Sequence, residues 1–106
     1  MHMILVGLRP GPQARTRHLS PETVVDILWA AAVPEDLLEH VRARSEPGEA
    51  GVDTAIFLAV PDADSETDVR TALCLCLRAV GSAPALAGWY VDLQAMPSHA
   101  TPWETL

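Results

Sequence analysis

The chain contains no lysine. Its seven basic residues are all arginine, they stand against 14 acidic residues, and the formal net charge is −7. Proteins that hold nucleic acid by neutralising phosphates carry the opposite balance, so the composition argues against a nucleic-acid partner. Arginine in place of lysine, together with abundant alanine, indicates a bacterial genome rich in GC, so arginine by itself does not signal recognition here.

Long apolar runs and targeting signals are also missing. No stretch approaches the roughly 20 apolar residues of a membrane-spanning helix. The first apolar run, Met3–Leu8, is too short for a signal peptide and has no basic region before it. We therefore expect a cytoplasmic protein without a membrane partner. With 49% hydrophobic residues among 106, we expect one domain over residues 3–96 and a tail over 97–106.

No motif for catalysis or cofactor binding is present: there is no GxSxG, no Walker loop and no GxGxxG. Cys74 and Cys76 would point about 200° apart on a helix, which disfavours a disulfide and a shared metal. We interpret them as buried apolar thiols. We expect neither a cofactor nor a metal site, and we assign no role to His2.

The central prediction is a strand over Val52–Val60, which is continuously apolar from Ala55 until Pro61 ends it. Because a strand with two apolar faces avoids water on both, we expect cover on both faces or cover by a partner. Met3–Leu8 is predicted as the first strand. Trp89–Ala95 alternates between apolar and polar residues, which is typical of an edge strand with one buried face.

Helices are predicted between these strands. The first begins at Ser20 and Pro21, a capping residue followed by a proline that suits the first helical position. Pro34 interrupts it and starts another helix, whose last turn contains Arg44. A further helix follows Ser65 and has the clearest helical period in the chain. Its predicted stripe consists of Val69, Ala72, Leu73, Cys76, Leu77 and Val80.

The element order is therefore β-α(α)-β-α-β, a small α/β or α+β domain. Helical crossovers join parallel strands, so one architecture is a three-stranded parallel sheet with helices on its faces. The other is a ferredoxin-like α+β layer with an additional strand within Arg9–His18 or Gly81–Gly88. Three strands leave two exposed edges, which favours pairing between chains in a homodimer.

A candidate ligand site follows from the parallel architecture. The loops after parallel strands meet at one edge of the sheet, where open α/β sheets bind ligands. Arginine there could hold an anion, and histidine with aspartate could supply an acid/base pair. The candidate residues are Arg15, Arg17, His18, Asp62, Asp64 and His99. The alternative is that these loops are polar because they are solvated.

Three aromatic residues are candidates for an interface. Trp29 lies at the margin of the first helical stripe, Tyr90 on the polar face of the edge strand, and Trp103 in the tail. Tryptophan and tyrosine are enriched at interfaces. The alternative is that the tryptophans complete a small core.

These observations favour a non-catalytic interaction or regulatory module over an enzyme. Its expected partners are a second copy of the chain and a further protein. The alternative is a small cofactor-free enzyme or ligand-binding domain that uses the loops after the strands. The element order has a general likeness to small ferredoxin-like dimers, some of which are cofactor-free oxygenases or cyclases acting in an enclosed cavity, and this likeness concerns the fold alone.

Overall fold

A computed structural model describes residues 2–45, 50–59 and 65–93. Its elements in chain order are β1 (His2–Pro10), α1 (Pro21–Ala31), β2 (Leu38–Arg44), β3 (Val52–Leu58), α2 (Ser65–Ser82) and β4 (Trp89–Asp92). Two short 3-10 helices, Pro34–Asp36 and Pro84–Leu86, precede β2 and β4. The sheet has the order β2-β3-β1-β4, and its neighbouring strands are antiparallel. The described residues therefore form a small α+β domain with a four-stranded antiparallel sheet and two helices.

The core lies between the two helices and one face of the sheet, which we call the helix face. Cross-strand register places Ile4 beside Ile56 and Leu8 beside Val52 on this face, and all four side chains are buried. The helices cover them with Val24, Leu28, Ala72, Leu75, Cys76 and Ala79. Each fully buried leucine contributes about 2 kcal/mol through removal of apolar surface from water.

The start of α1 confirms the sequence prediction. The Ser20 hydroxyl accepts a hydrogen bond of 3.1 Å from the backbone N–H of Thr23, and Pro21 occupies the first helical position. Val24 and Leu28, one helical turn apart, point into the core and are fully buried. The apolar residues whose spacing predicts this helix are therefore the residues that pack it against the sheet.

The long helix α2 is also confirmed, with a rotated buried stripe. Leu75 and Ala79 are fully buried, whereas Leu77, which the sequence placed in the stripe, is 57% exposed. The helix continues through Gly81 and ends at Ser82. Within the described residues, neither helix is both long and apolar enough to span a bilayer.

The predicted second helix from Pro34 to Arg44 is wrong. Helical geometry lasts only over Pro34–Asp36, because Leu37 adopts a left-handed conformation with φ 56° and ψ 35°. From there the chain is extended as β2, and Val41 lies opposite Ile56 on the helix face. Pairing with β3 gives the backbone groups of β2 hydrogen-bond partners that the sequence could not reveal.

The expected parallel three-stranded sheet is also corrected. Since β2 is an additional strand, the chain reverses once more, and β3 runs antiparallel to β1, with Val52 opposite Leu8 and Leu58 opposite His2. The additional strand does not lie in the two places we considered. Beyond the end of β1, the segment up to His18 is a loop, and residues 81–88 contain the end of α2 and a 3-10 helix.

Candidate functional site

The face of the sheet opposite the helices has no covering layer of described residues, and we call it the open face. Alternate residues of each strand point to this side. The open face consists of Met3, Leu5, Gly7 and Arg9 of β1, His40, Arg42 and Arg44 of β2, Asp53, Ala55 and Phe57 of β3, and Tyr90 and Asp92 of β4.

One half of the open face is apolar. Met3, opposite Phe57 in the register, is 44% exposed, and Leu5 and Phe57 are half-buried. The His40 ring leans against Phe57, with the ring centroids 5.5 Å apart. Ala55 is fully buried because the larger Leu5 stands beside it. Within the described residues, a second layer packs against β3 on the helix face only. That a partner covers the other face of β3 stays a prediction.

The other half of the open face is charged and centred on Arg9. The Arg9 guanidinium donates a hydrogen bond to Asp53 on β3, and its Nε atom lies 3.8 Å from a carboxylate oxygen of Asp92 on β4. Gly7 makes room for it, since a Cβ atom there would lie 2.9 Å from the guanidinium. Arg9 therefore links three strands, and the carboxylates of Asp53 and Asp92 balance its charge within the open face.

A second exposed apolar surface lies at the end of α1. It is formed by Trp29, Ala32, Val33, Pro34, Leu37 and Leu38, which line a depression of about 280 Å³. We call it the helix-end patch. Trp29 is 44%, Val33 39% and Leu37 45% exposed. Monomeric proteins seldom gather large apolar side chains at one place on the surface, so the patch is a candidate for binding.

The buried carboxylate of Asp36 holds the loop beneath this patch. It accepts hydrogen bonds of 3.0 Å from the backbone N–H of Val33 and of 3.0 Å from the guanidinium of Arg78 on α2. Arg78 also donates to the backbone carbonyl of Ala31 at 2.9 Å. The hydrogen bond to Asp36 raises the pKa of Arg78 above its ordinary value, so this arginine is charged throughout the accessible pH range. These bonds fix the end of α1 to α2.

The candidate ligand residues are only partly within the described chain. Arg15 and His18 are exposed, and the exposed Arg17 donates a hydrogen bond of 2.8 Å to the carbonyl of Gly11. Asp62, Asp64 and His99 lie outside the described residues. β1 ends at the opposite end of the sheet from β3 and β4, so the loop after β1 does not begin beside the ends of those strands. A ligand site at these residues stays a prediction, and the strand directions do not support it.

The candidate interface residues differ in how far the structure describes them. Tyr90 is 53% exposed on the open face, and Trp29 belongs to the helix-end patch. Trp103 lies outside the described residues. The alternative reading of tryptophan fits Trp89, which is buried and whose indole N–H donates to the carbonyl of Thr16 at 2.7 Å. The interface roles of the other three aromatic residues stay predictions.

Sequence reasoning missed the apolar half of the open face and the anchoring role of Asp36. The alternation from His40 to Arg44 could have identified β2, but a proline-led helix start took precedence. His2, to which we assigned no role, lies in β1 with its Nδ1 atom against the buried carboxylate of Asp68. No local pattern could have paired residues so far apart in the chain.

The two cysteines differ in exposure, as their helical spacing implies. Cys76 is buried, and burial raises the pKa of its thiol from 9.0 to about 12. Cys74 is exposed, so our interpretation of it as a buried thiol is wrong. Over residues 2–45, 50–59 and 65–93, no group of three or more histidine, cysteine, aspartate or glutamate side chains could hold a metal ion.

Comparison with known proteins adds no function to this geometry. The sequence matches no protein-family model, and no curated protein or solved structure is significantly similar to it.

Proposed function

We propose that the protein is a non-catalytic interaction module that forms a homodimer by packing two open faces together. The observation that carries this proposal is the exposed apolar half of the open face, where Met3 and Phe57 stand side by side without a covering layer of described residues. A sheet is stable when both of its apolar faces are covered, and a second copy supplies the missing layer.

The proposed layout of each subunit is a ferredoxin-like layer. The β-α-β-β-α-β order of the described elements and the sheet order β2-β3-β1-β4 support it. The connections place both helices against the helix face, because each returns the chain over the same side of the sheet. The opposite side is thereby left for a partner.

The charges of the open face favour a second copy as that partner. The β2 edge carries His40, Arg42 and Arg44, and the β4 edge carries Asp92 and Tyr90. A two-fold axis parallel to the strands places the β2 edge of one copy over the β4 edge of the other. In this isologous contact the arginines of each copy face the β4 edge of the other, so they do not meet the like charges of the partner's β2 edge.

The size of the open face implies a weak dimer. The four strands have 9, 7, 7 and 4 residues. At about 3.4 Å per residue and about 4.8 Å between strands, they give a face of roughly 440 Å². Stable complexes bury about 800 Å² per partner. We therefore expect dissociation in the micromolar range, with a monomer present at low concentration.

Sedimentation equilibrium over a concentration series tests this proposal. Replacing Met3 with glutamate puts a carboxylate in the apolar half of the interface, and we expect the dimer dissociation constant to rise at least about tenfold. Because Met3 is 44% exposed, the subunit itself should remain folded. The matched control is Leu77→Glu, the same kind of change at a 57% exposed position on α2.

Two results would contradict the proposal. A wild-type chain that stays monomeric at millimolar concentration leaves no dimer to explain. A dimer that Met3→Glu and Leu77→Glu affect equally would mean that the contact lies elsewhere.

A further inference from the structure

We propose that the helix-end patch is the docking site for a basic segment of a partner protein, which inserts a large apolar side chain into the depression. This inference does not depend on the proposed dimer. The patch lies at the end of α1, where α1 leads into β2, whereas the dimer is proposed on the open face.

The shape of the patch suits one or two inserted side chains. Trp29, Val33 and Leu37 are the large exposed groups around it, and the depression of about 280 Å³ has an apolar floor that includes Ala32 and Leu38. An aromatic or aliphatic anchor placed in such a pocket is the usual source of binding energy at a small interface.

The backbone at Leu37 is an independent indication that this side chain has a use. Its φ of 56° and ψ of 35° are favourable for glycine and tolerable for asparagine, but costly for leucine. The same side chain is 45% exposed, so it also leaves apolar surface in water. Leucine therefore costs free energy here in two ways that glycine or asparagine would avoid. Strained residues of this kind cluster at binding and active sites, so the strain supports a binding role for Leu37.

Several hydrogen bonds hold the loop that carries Leu37. The backbone N–H of Leu37 donates to the carbonyl of Pro34 at 3.1 Å, and its carbonyl accepts from the N–H of Ala59 at 2.8 Å. Asp36 ties the loop to Val33 and Arg78, as described above. Side chains presented by a fixed backbone lose little conformational entropy on binding.

The charge around the patch indicates the chemistry of the partner. From Leu19 to Glu39 the chain has five acidic residues and neither lysine nor arginine. Asp26, Glu35 and Glu39 are exposed and lie within four residues of the lining. Arg78, the cation that approaches from α2, is engaged by Asp36. A basic partner is therefore attracted, whereas two copies of this patch would bring like charges together and repel.

The binding test uses a synthetic amphipathic peptide of leucine and lysine about four helical turns long, and a counterpart in which glutamate replaces lysine. Fluorescence anisotropy of the labelled peptides is measured against the full chain. We expect the leucine–lysine peptide to bind and the leucine–glutamate peptide not to bind. Leu37→Asn, which suits the left-handed backbone, should weaken binding at least about tenfold. Leu77→Asn makes the same chemical change on α2 and should leave the affinity within about twofold.

Four outcomes would overturn the inference. The leucine–lysine peptide could fail to bind at millimolar concentration, or the acidic peptide could bind equally well. Leu37→Asn could bind as tightly as wild type, which would mean that the net charge alone attracts the peptide. Finally, Leu37→Asn could lower the solution mass, which would make a second copy the occupant of the patch. Loss of the dimer in Met3→Glu with peptide binding retained would leave this inference standing.

Discussion

Between pH 9 and pH 12 the protein is expected to lose up to about 4 kcal/mol of its free energy of unfolding through one residue, Cys76. Burial raises the pKa of this thiol from 9.0 to about 12, because the thiolate is poorly solvated in the core. As the pH rises, the thiol ionises first in the unfolded chain, which is thereby stabilised. The contribution is fully present below pH 9 and is lost as the pH approaches 12.

Urea unfolding in the presence of a reductant, from neutral pH to about pH 10.5, measures this loss. At about pH 10.5 the wild-type chain should be about 2 kcal/mol less stable than at pH 9 through Cys76 alone. Cys76→Ala should be less stable at neutral pH, because it leaves a cavity, but should show a flatter pH dependence. The control is Cys74→Ala, which removes the exposed thiol of the same helix and should keep the wild-type slope. Parallel curves for wild type and Cys76→Ala would refute the assignment.

The elements that could be predicted from sequence are those with one unambiguous local period. The stripe of α2 repeats over 18 residues, and the apolar run of β3 is too short for a buried helix and ends before a proline. The exposure of Leu77 marks the limit of this reasoning. The spacing of apolar residues predicts that a helix has an apolar side. Which of two neighbouring apolar stripes is buried depends on how the helix packs against the sheet.

The segment of β2 carries two conflicting local signals, because its alternation from His40 to Arg44 indicates a strand. Leu37, Leu38 and Val41 fit the steps of a helix, and a proline followed by two acidic residues is a common helix start. What converts the segment to a strand is the left-handed turn at Leu37 and the pairing of Val41 with Ile56, a contact distant in sequence. Tertiary pairing overrode a local preference that was itself weak.

The prediction of a ligand site depended on the strand directions, and these depend on whether β2 is a strand. Without that strand, β1 and β3 run parallel and their following loops meet at one edge. With it they run antiparallel, and the loop that carries Arg15, Arg17 and His18 follows β1 at the end of the sheet where β3 begins. The two surfaces on which the proposals rest, the open face and the helix-end patch, required knowledge of the register and of the side of the sheet that the helices cover.

The two surfaces differ in charge and so in the partners they favour. In the two-fold arrangement that we propose for the open face, the arginines at the β2 edge of one copy avoid those of the other. The helix-end patch has an acidic surround and does not complement itself. The two proposals are therefore compatible in one domain, and the second depends on the shape of the loop that carries Leu37.

Asp36 is the residue on which that shape depends, and Asp36→Ala is expected to lower the free energy of unfolding by about 2 to 3 kcal/mol. The change removes the acceptor of the Val33 N–H and leaves the Arg78 guanidinium without its carboxylate. Because the side chain of Asp36 is 7% exposed, water does not replace these bonds in full. We also expect weaker binding of the leucine–lysine peptide, since Val33 and Leu37 lose their fixed positions.

Asp36→Asn separates the two roles of the carboxylate. The amide oxygen still accepts from the Val33 N–H, while the ionic attraction to Arg78 is lost, so we expect a smaller destabilisation than in Asp36→Ala and nearly unchanged peptide binding. Urea unfolding at neutral pH gives the stabilities, and the anisotropy titration gives the affinities. An alanine variant as stable as wild type would remove Asp36 as the anchor of the loop. Equal loss of peptide affinity in the two variants would instead show that the ion pair to Arg78, and not the bond to Val33, sets the shape of the patch.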